Sequence, residues 1–150
     1  MTDTHDSSIP DVSSLHVYLG YRDAPAAIEW LERALGFTTT MRYSDDQGGI
    51  MHAELCLGGA AITLFSDNDG YDRLEPKGET VGQGIYLSVA ADADVDAAYS
   101  RAVATDATVV WEAARSEWNY RCRVRDPEGR EWTVGTHVPG ASTDTWSDDG

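Results

Sequence analysis

The 150-residue chain carries 26 acidic against 11 basic residues, a formal net charge of −15, with 41% hydrophobic content. That field repels phosphate backbones and anionic bilayers, so neither a nucleic-acid nor a membrane partner is expected, while a cationic small molecule is attracted. The length suits one compact domain or two small modules sharing a core; no stretch is long enough to span a bilayer and no apolar leader is visible, which predicts a cytoplasmic protein.

Residues 1–11 and 139–150 are rich in Ser, Thr, Asp and Gly and read as disordered tails, with Trp146 the one odd residue there. Alternation over residues 14–20 predicts a strand with Leu15, Val17 and Leu19 on the core face and His16 and Tyr18 on the other. Asp23 is a helix cap. Behind it Ile28, Leu31 and Leu35, broadened by Trp30 and Ala34, form a stripe that covers the strand's aliphatic face, and Gly36 closes the helix in a left-handed conformation.

Strands follow at residues 37–43, 50–57 and 60–65, separated by an Asp/Gly-rich turn at 45–49 and by Gly58-Gly59. In the middle one, Met51, Ala53, Leu55 and Leu57 share the core parity, while His52, Glu54 and Cys56 share the opposite, concave one. Residues 67–83 read as a linker. The order then repeats: a strand from Gly84, a helix capped by Asp94, further strands, and a tight Asp126-Pro127-Glu128-Gly129 turn between residues 120–124 and 131–136. Cys56 and Cys122 fall in strands and read as buried free thiols.

The chain therefore contains one β-α-β-β-β unit twice, at 12–66 and 84–138, offset by about 70 residues. Asp23 to Leu31 with Leu35-Gly36-Phe37, and Val124 to Trp132, resemble the vicinal oxygen chelate superfamily of glyoxalases, extradiol dioxygenases, fosfomycin-modifying enzymes and bleomycin-resistance proteins. The resemblance implies an α+β fold in which two βαβββ modules form a partly closed, curved mixed sheet with helices outside and a ligand cleft inside. It also implies pairing of modules between or within chains, hence an expected homodimer.

Metal-dependent members draw ligands from four stations that correspond here to His16, Thr63, Gly84 and Thr133. Glycine has no side chain and a neutral hydroxyl is a poor donor, so no metal and no cofactor is expected; the alternative is a displaced divalent metal near His16, built with His52, Glu54 or His137. The expected ligand-binding residues are Tyr18, His52, Thr63, Phe65, Tyr86, Trp111, Trp118, Tyr120, Arg121, Arg123 and Thr133. Arg121 and Arg123 share a parity and so aim together, at a ligand carboxylate or at Glu54. The leading expectation is a non-catalytic, metal-independent protein of the bleomycin-resistance type that holds a small aromatic or cationic compound. The alternatives are a glyoxalase-like lyase or isomerase using Glu54 and His16 as acid and base, and a scaffold whose cavity is filled by its own side chains.

Overall fold

Asp23 starts the first helix: its Oδ1 accepts from the Ala26 N–H at 3.1 Å, and Pro25 fits the first turn, where an N–H has no helical partner. In the computed structural model, which describes residues 8–67 and 75–140, this helix, α1, spans Ala24–Trp30 and continues as a wider π-type turn over Leu31–Leu35. The Gly36 N–H reaches back to the Leu31 carbonyl at 3.0 Å, and Gly36 takes the left-handed conformation that a residue with a side chain resists. The wider turn keeps Ile28, Leu31, Ala34 and Leu35 all buried. The second helix, α2 (Asp92–Ala104), opens differently from the expectation. Asp94 is its third residue rather than its cap, and its Oδ2 reaches back to the N–H of Ala91, which has no side-chain acceptor of its own.

Each helix covers one face of a four-stranded sheet. The first sheet holds β1 (Tyr18–Tyr21), β2 (Thr38–Ser44), β3 (Ile50–Leu57) and β4 (Ala60–Ser66) in the order β1-β4-β3-β2. The second holds β5 (Gly84–Ser88), β6 (Thr108–Arg115), β7 (Tyr120–Arg125) and β8 (Glu131–Gly135) in the order β5-β8-β7-β6. In both, the first strand runs parallel to the last and the remaining pairs are antiparallel. The repeat is real, and the fold is α+β with two βαβββ modules whose sheets do not close.

Two strand readings need correcting. The first strand begins at Tyr18, not near residue 14, and Leu15 is 86% exposed. The parallel register pairs Tyr18 with Thr63, so Leu15 falls level with Ala60, where β4 only begins and the sheet ends. In β3, Tyr43 pairs with His52 but Ser44 with Ile50, so Met51 is the extra residue of a bulge. Ile50 swings into the core and Met51 faces solvent at 66% exposure.

The modules join on their helical side. Asp126, in the β7–β8 turn, is the node: its Oδ2 accepts from the Tyr21 hydroxyl at 2.7 Å and from Trp132 Nε1 at 3.1 Å, and its Oδ1 from the Glu128 and Arg130 N–H groups at 3.0 Å each. Arg130 lies over the Tyr21 ring and donates to the Gly20 carbonyl, while Glu128 accepts from the N–H groups of Arg22 and Asp23. Phe37 packs edge-on against Trp132, which is fully buried, so the indole fills the junction. Burial, reinforced by Asp126, holds the Tyr21 hydroxyl well above its ordinary pKa.

Candidate functional site

With the helices on one side, the other side of each sheet is open, and the two open faces do not meet within the chain. Among the described residues, extensive backbone contact between the modules runs from the π-type end of α1 to α2 and not from strand to strand. The single concavity expected from both sheets is therefore two half-sites.

The first half-site carries Tyr18, His52, Glu54, Thr63 and Phe65. Tyr18 is 77% exposed, its ring 6.3 Å from that of Phe65. His52 Nε2 and Glu54 Oε2 are 2.8 Å apart, so these strand neighbours satisfy each other. His16 is engaged elsewhere: Nδ1 donates to the Ala61 carbonyl at 2.8 Å, and Nε2 lies 2.7 Å from Ser14 Oγ. A carbonyl only accepts, so Nδ1 carries a proton, and the serine hydroxyl occupies the other ring nitrogen. The histidine that the structure brings to Glu54 is His52, while His16 is bonded to Ala61 and Ser14.

The four metal stations hold one imidazole with both nitrogens occupied, two hydroxyls and a glycine. Thr63 Oγ1 faces the Val17 carbonyl, Thr133 Oγ1 accepts from Arg123 Nε, and a side chain at Gly84 would press on Glu131. Glu131 is itself buried and bonded to Thr80 and to the Val81 N–H. Among the described residues no three His, Cys, Asp or Glu side chains converge as a metal would require. This donor set does not fit a divalent ion.

The second half-site is a built cavity of about 510 Å³ on the open face of the second sheet, within the range of small-molecule sites. Six of the expected ligand residues, Tyr86, Trp111, Trp118, Arg121, Arg123 and Thr133, line it. Its floor is fixed by Asn119, which is buried and whose Oδ1 accepts from the Thr136 and His137 N–H groups at 3.0 Å each; the Tyr86 hydroxyl in turn donates to the His137 carbonyl at 2.8 Å. Gly135 is required there, because a Cβ would lie 2.5 Å from the Tyr86 hydroxyl and 2.8 Å from Asn119 Oδ1. Trp118, 68% exposed, stands at the rim with its ring edge-on to His137 at 4.6 Å.

Trp111 divides the cavity wall. The guanidinium carbons of Arg121 and Arg123 lie 3.8 and 3.7 Å from its ring centroid, so the two cations take opposite faces of one indole. Its Nε1 donates to Glu79 at 2.8 Å. Burial, together with the charges of Arg121 and Arg125, lowers the Arg123 pKa against the pull of Glu131 and Glu79. Tyr120 is not part of this wall: its hydroxyl bonds Asp96 of α2, on the helical side. Sequence reasoning missed Glu79, which it placed in the linker, and the anchoring role of Asn119. Neither has a local pattern that announces it. A second cavity of about 520 Å³ lies between the β3–β4 turn and α2, and of the expected site residues only Tyr86 borders it.

The model of the Glyoxalase/Bleomycin resistance protein/Dioxygenase superfamily matches residues 13–134. The chain belongs to this superfamily. Among solved structures, TioX from Micromonospora sp. ML1 is similar at 29% identity, covering 85% of this chain and all of that one with a TM-score of 0.63. A glyoxylase/bleomycin resistance protein/dioxygenase domain from Frankia sp. EAN1pec is similar at 21% identity, covering 89% and 96% of the two chains with a TM-score of 0.69. The fosfomycin resistance protein FosX from Listeria monocytogenes, complexed with Mn(II) and sulfate, shares the fold at 13% identity, covering 86% and 96% with a TM-score of 0.65. No protein of curated function matches the sequence. No helix among the described residues is long and apolar enough to cross a membrane.

Proposed function

We propose that this superfamily member is a metal-independent binding protein that holds a small planar compound on the open face of its second sheet. The observation that carries the reading is the cavity itself: Trp118 and Tyr86 offer ring surfaces, and Asn119 and Gly135 hold the floor in one shape. Of the aromatic and cationic guests that composition suggests, the aromatic one fits, because two guanidiniums outnumber the one carboxylate, Glu117, in the lining.

The reading includes a homodimer. Each half-site is open, and the first presents Tyr18, Tyr43 and Met51 to solvent at 58 to 77% exposure. A second copy of the chain laid with its first sheet over the second sheet of its partner covers this apolar surface and completes two equivalent clefts, as a two-fold axis requires. A further reading, acid–base turnover, is favoured only by the His52–Glu54 pair, which such a dimer brings opposite the arginines.

The test uses chelator-treated protein whose metal content is measured by elemental analysis, titrated with flat aromatic compounds while Trp fluorescence is followed, with mass measured by light scattering. Saturable quenching by metal-free dimer supports the reading. Absence of quenching across the panel, or quenching that needs a stoichiometric metal, overturns it.

A further inference from the structure

Three of the chain's eleven basic residues, Arg121, Arg123 and Arg125, alternate along β7 of a protein with net charge −15. Arg125 is matched by Glu131 at 3.9 Å. The other two face the cavity and are held by an aromatic ring rather than by a carboxylate. Arg123 spends Nε on Thr133 and one terminal nitrogen on the Glu79 carbonyl at 3.4 Å, so part of its fork remains. Arg121 makes no hydrogen bond or ion pair among the described residues; its contact is the Trp111 ring.

A guanidinium presents five N–H donors in one plane, matched to two oxygens of a carboxylate or phosphate. Stacking on Trp111 fixes that plane and leaves the edges free, which is the arrangement that loses least freedom when an anion arrives. The cavity is lined by two arginines against one carboxylate, Glu117, so a cationic guest meets a net like charge, and a neutral one leaves the fork to water. From this we infer that the cavity recognises an oxyanion: the guest is a planar ring carrying a carboxylate or phosphate, the ring against Trp118 and the oxyanion on the free donors of Arg121 and Arg123. The inference rests on the small-molecule reading above and narrows its substrate class to aromatic acids.

The experiment is calorimetric titration of the full chain with four probes of one ring system: 2-naphthoate, 2-naphthyl phosphate, 2-naphthamide and 2-naphthylmethylammonium. Either acid is expected to bind at least about tenfold more tightly than the amide, the scale of a charge-assisted hydrogen bond, and the tighter of the two names the oxyanion. R121Q is expected to narrow the gap between the acids and the amide to less than about threefold, and R121K to restore part of the preference. Amide or ammonium binding as tight as the acids, or an undiminished preference in R121Q, overturns the oxyanion while the small-molecule reading survives. Failure of all four probes overturns both. If the acids bind only after Glu54→Gln, the arginines serve the carboxylate of a second copy and the inference falls.

Discussion

Arg130 and Arg121 are both guanidiniums laid over an aromatic ring, one on Tyr21 at the junction and one on Trp111 at the open face. At the junction the guanidinium has a fixed acceptor, since Arg130 donates to the Gly20 carbonyl, and beside it Asp126 takes four hydrogen bonds, from the buried Tyr21 hydroxyl, the Trp132 indole and the backbone N–H groups of Glu128 and Arg130. At the open face no acceptor among the described residues bonds Arg121, and the Trp111 ring positions it. The same pair of groups is therefore cement in one place and a receptor in the other. The presence of a buried acceptor decides which.

The comparison is broken most forcefully at Asp126. Asp126→Ala leaves a buried hydroxyl, an indole N–H and the backbone N–H groups of Glu128 and Arg130 without their acceptor, and is expected to destabilise the fold by about 3–5 kcal/mol in urea unfolding. A loss below about 1 kcal/mol would show that the junction does not depend on this node. Gly135→Ala drives a methyl into Tyr86 and Asn119, with an expected cost of about 1–3 kcal/mol and a weaker grip on 2-naphthoate; unchanged affinity would remove the floor from the account.

Alkali sharpens it further. Burial pushes the Cys122 thiol from 9.0 up to about 11. The native state thus holds its proton more tightly than the unfolded chain. This contribution to stability is intact below pH 9 and is lost as the pH climbs towards 11. The Tyr21 hydroxyl, raised from 10.0, acts with the same sign at higher pH. Unfolding free energy measured across this range should fall, with Cys122→Ala removing the earlier part; a flat profile would contradict the burial. The smallest effect belongs to Arg121→Gln, expected within about 0.5 kcal/mol of the parent in urea, as for a side chain that cements nothing.

The repeat, both helices and nearly all strand positions were legible because period-2 and period-3.6 patterning reports burial directly, as the buried Ile28, Leu31 and Leu35 of the helix and the buried Ala53 and Leu55 of β3 illustrate. What failed was set by pairing rather than pattern. The bulge at Met51 reversed a face, and the end of β4 left Leu15 without a neighbour. Parity brought Arg121 and Arg123 to one wall, since residues two apart on a strand share a side, and the pairing of Trp111 with Arg123 across β6 and β7 set the indole against them. The separation of the two open faces was not legible, because it depends on Asp126 meeting Tyr21 across 105 residues. Nor was the return of Glu79 to Trp111 from a stretch read as linker.

The most direct test is the urea midpoint as a function of 2-naphthoate concentration, compared between the parent and the Arg121→Gln, Arg123→Gln double variant. A ligand that binds only the native state raises stability with the logarithm of its concentration once above its dissociation constant. The account predicts that rise in the parent, in the presence of chelator, and its absence in the double variant. A parent midpoint that does not move, or an equal rise in both proteins, would contradict it.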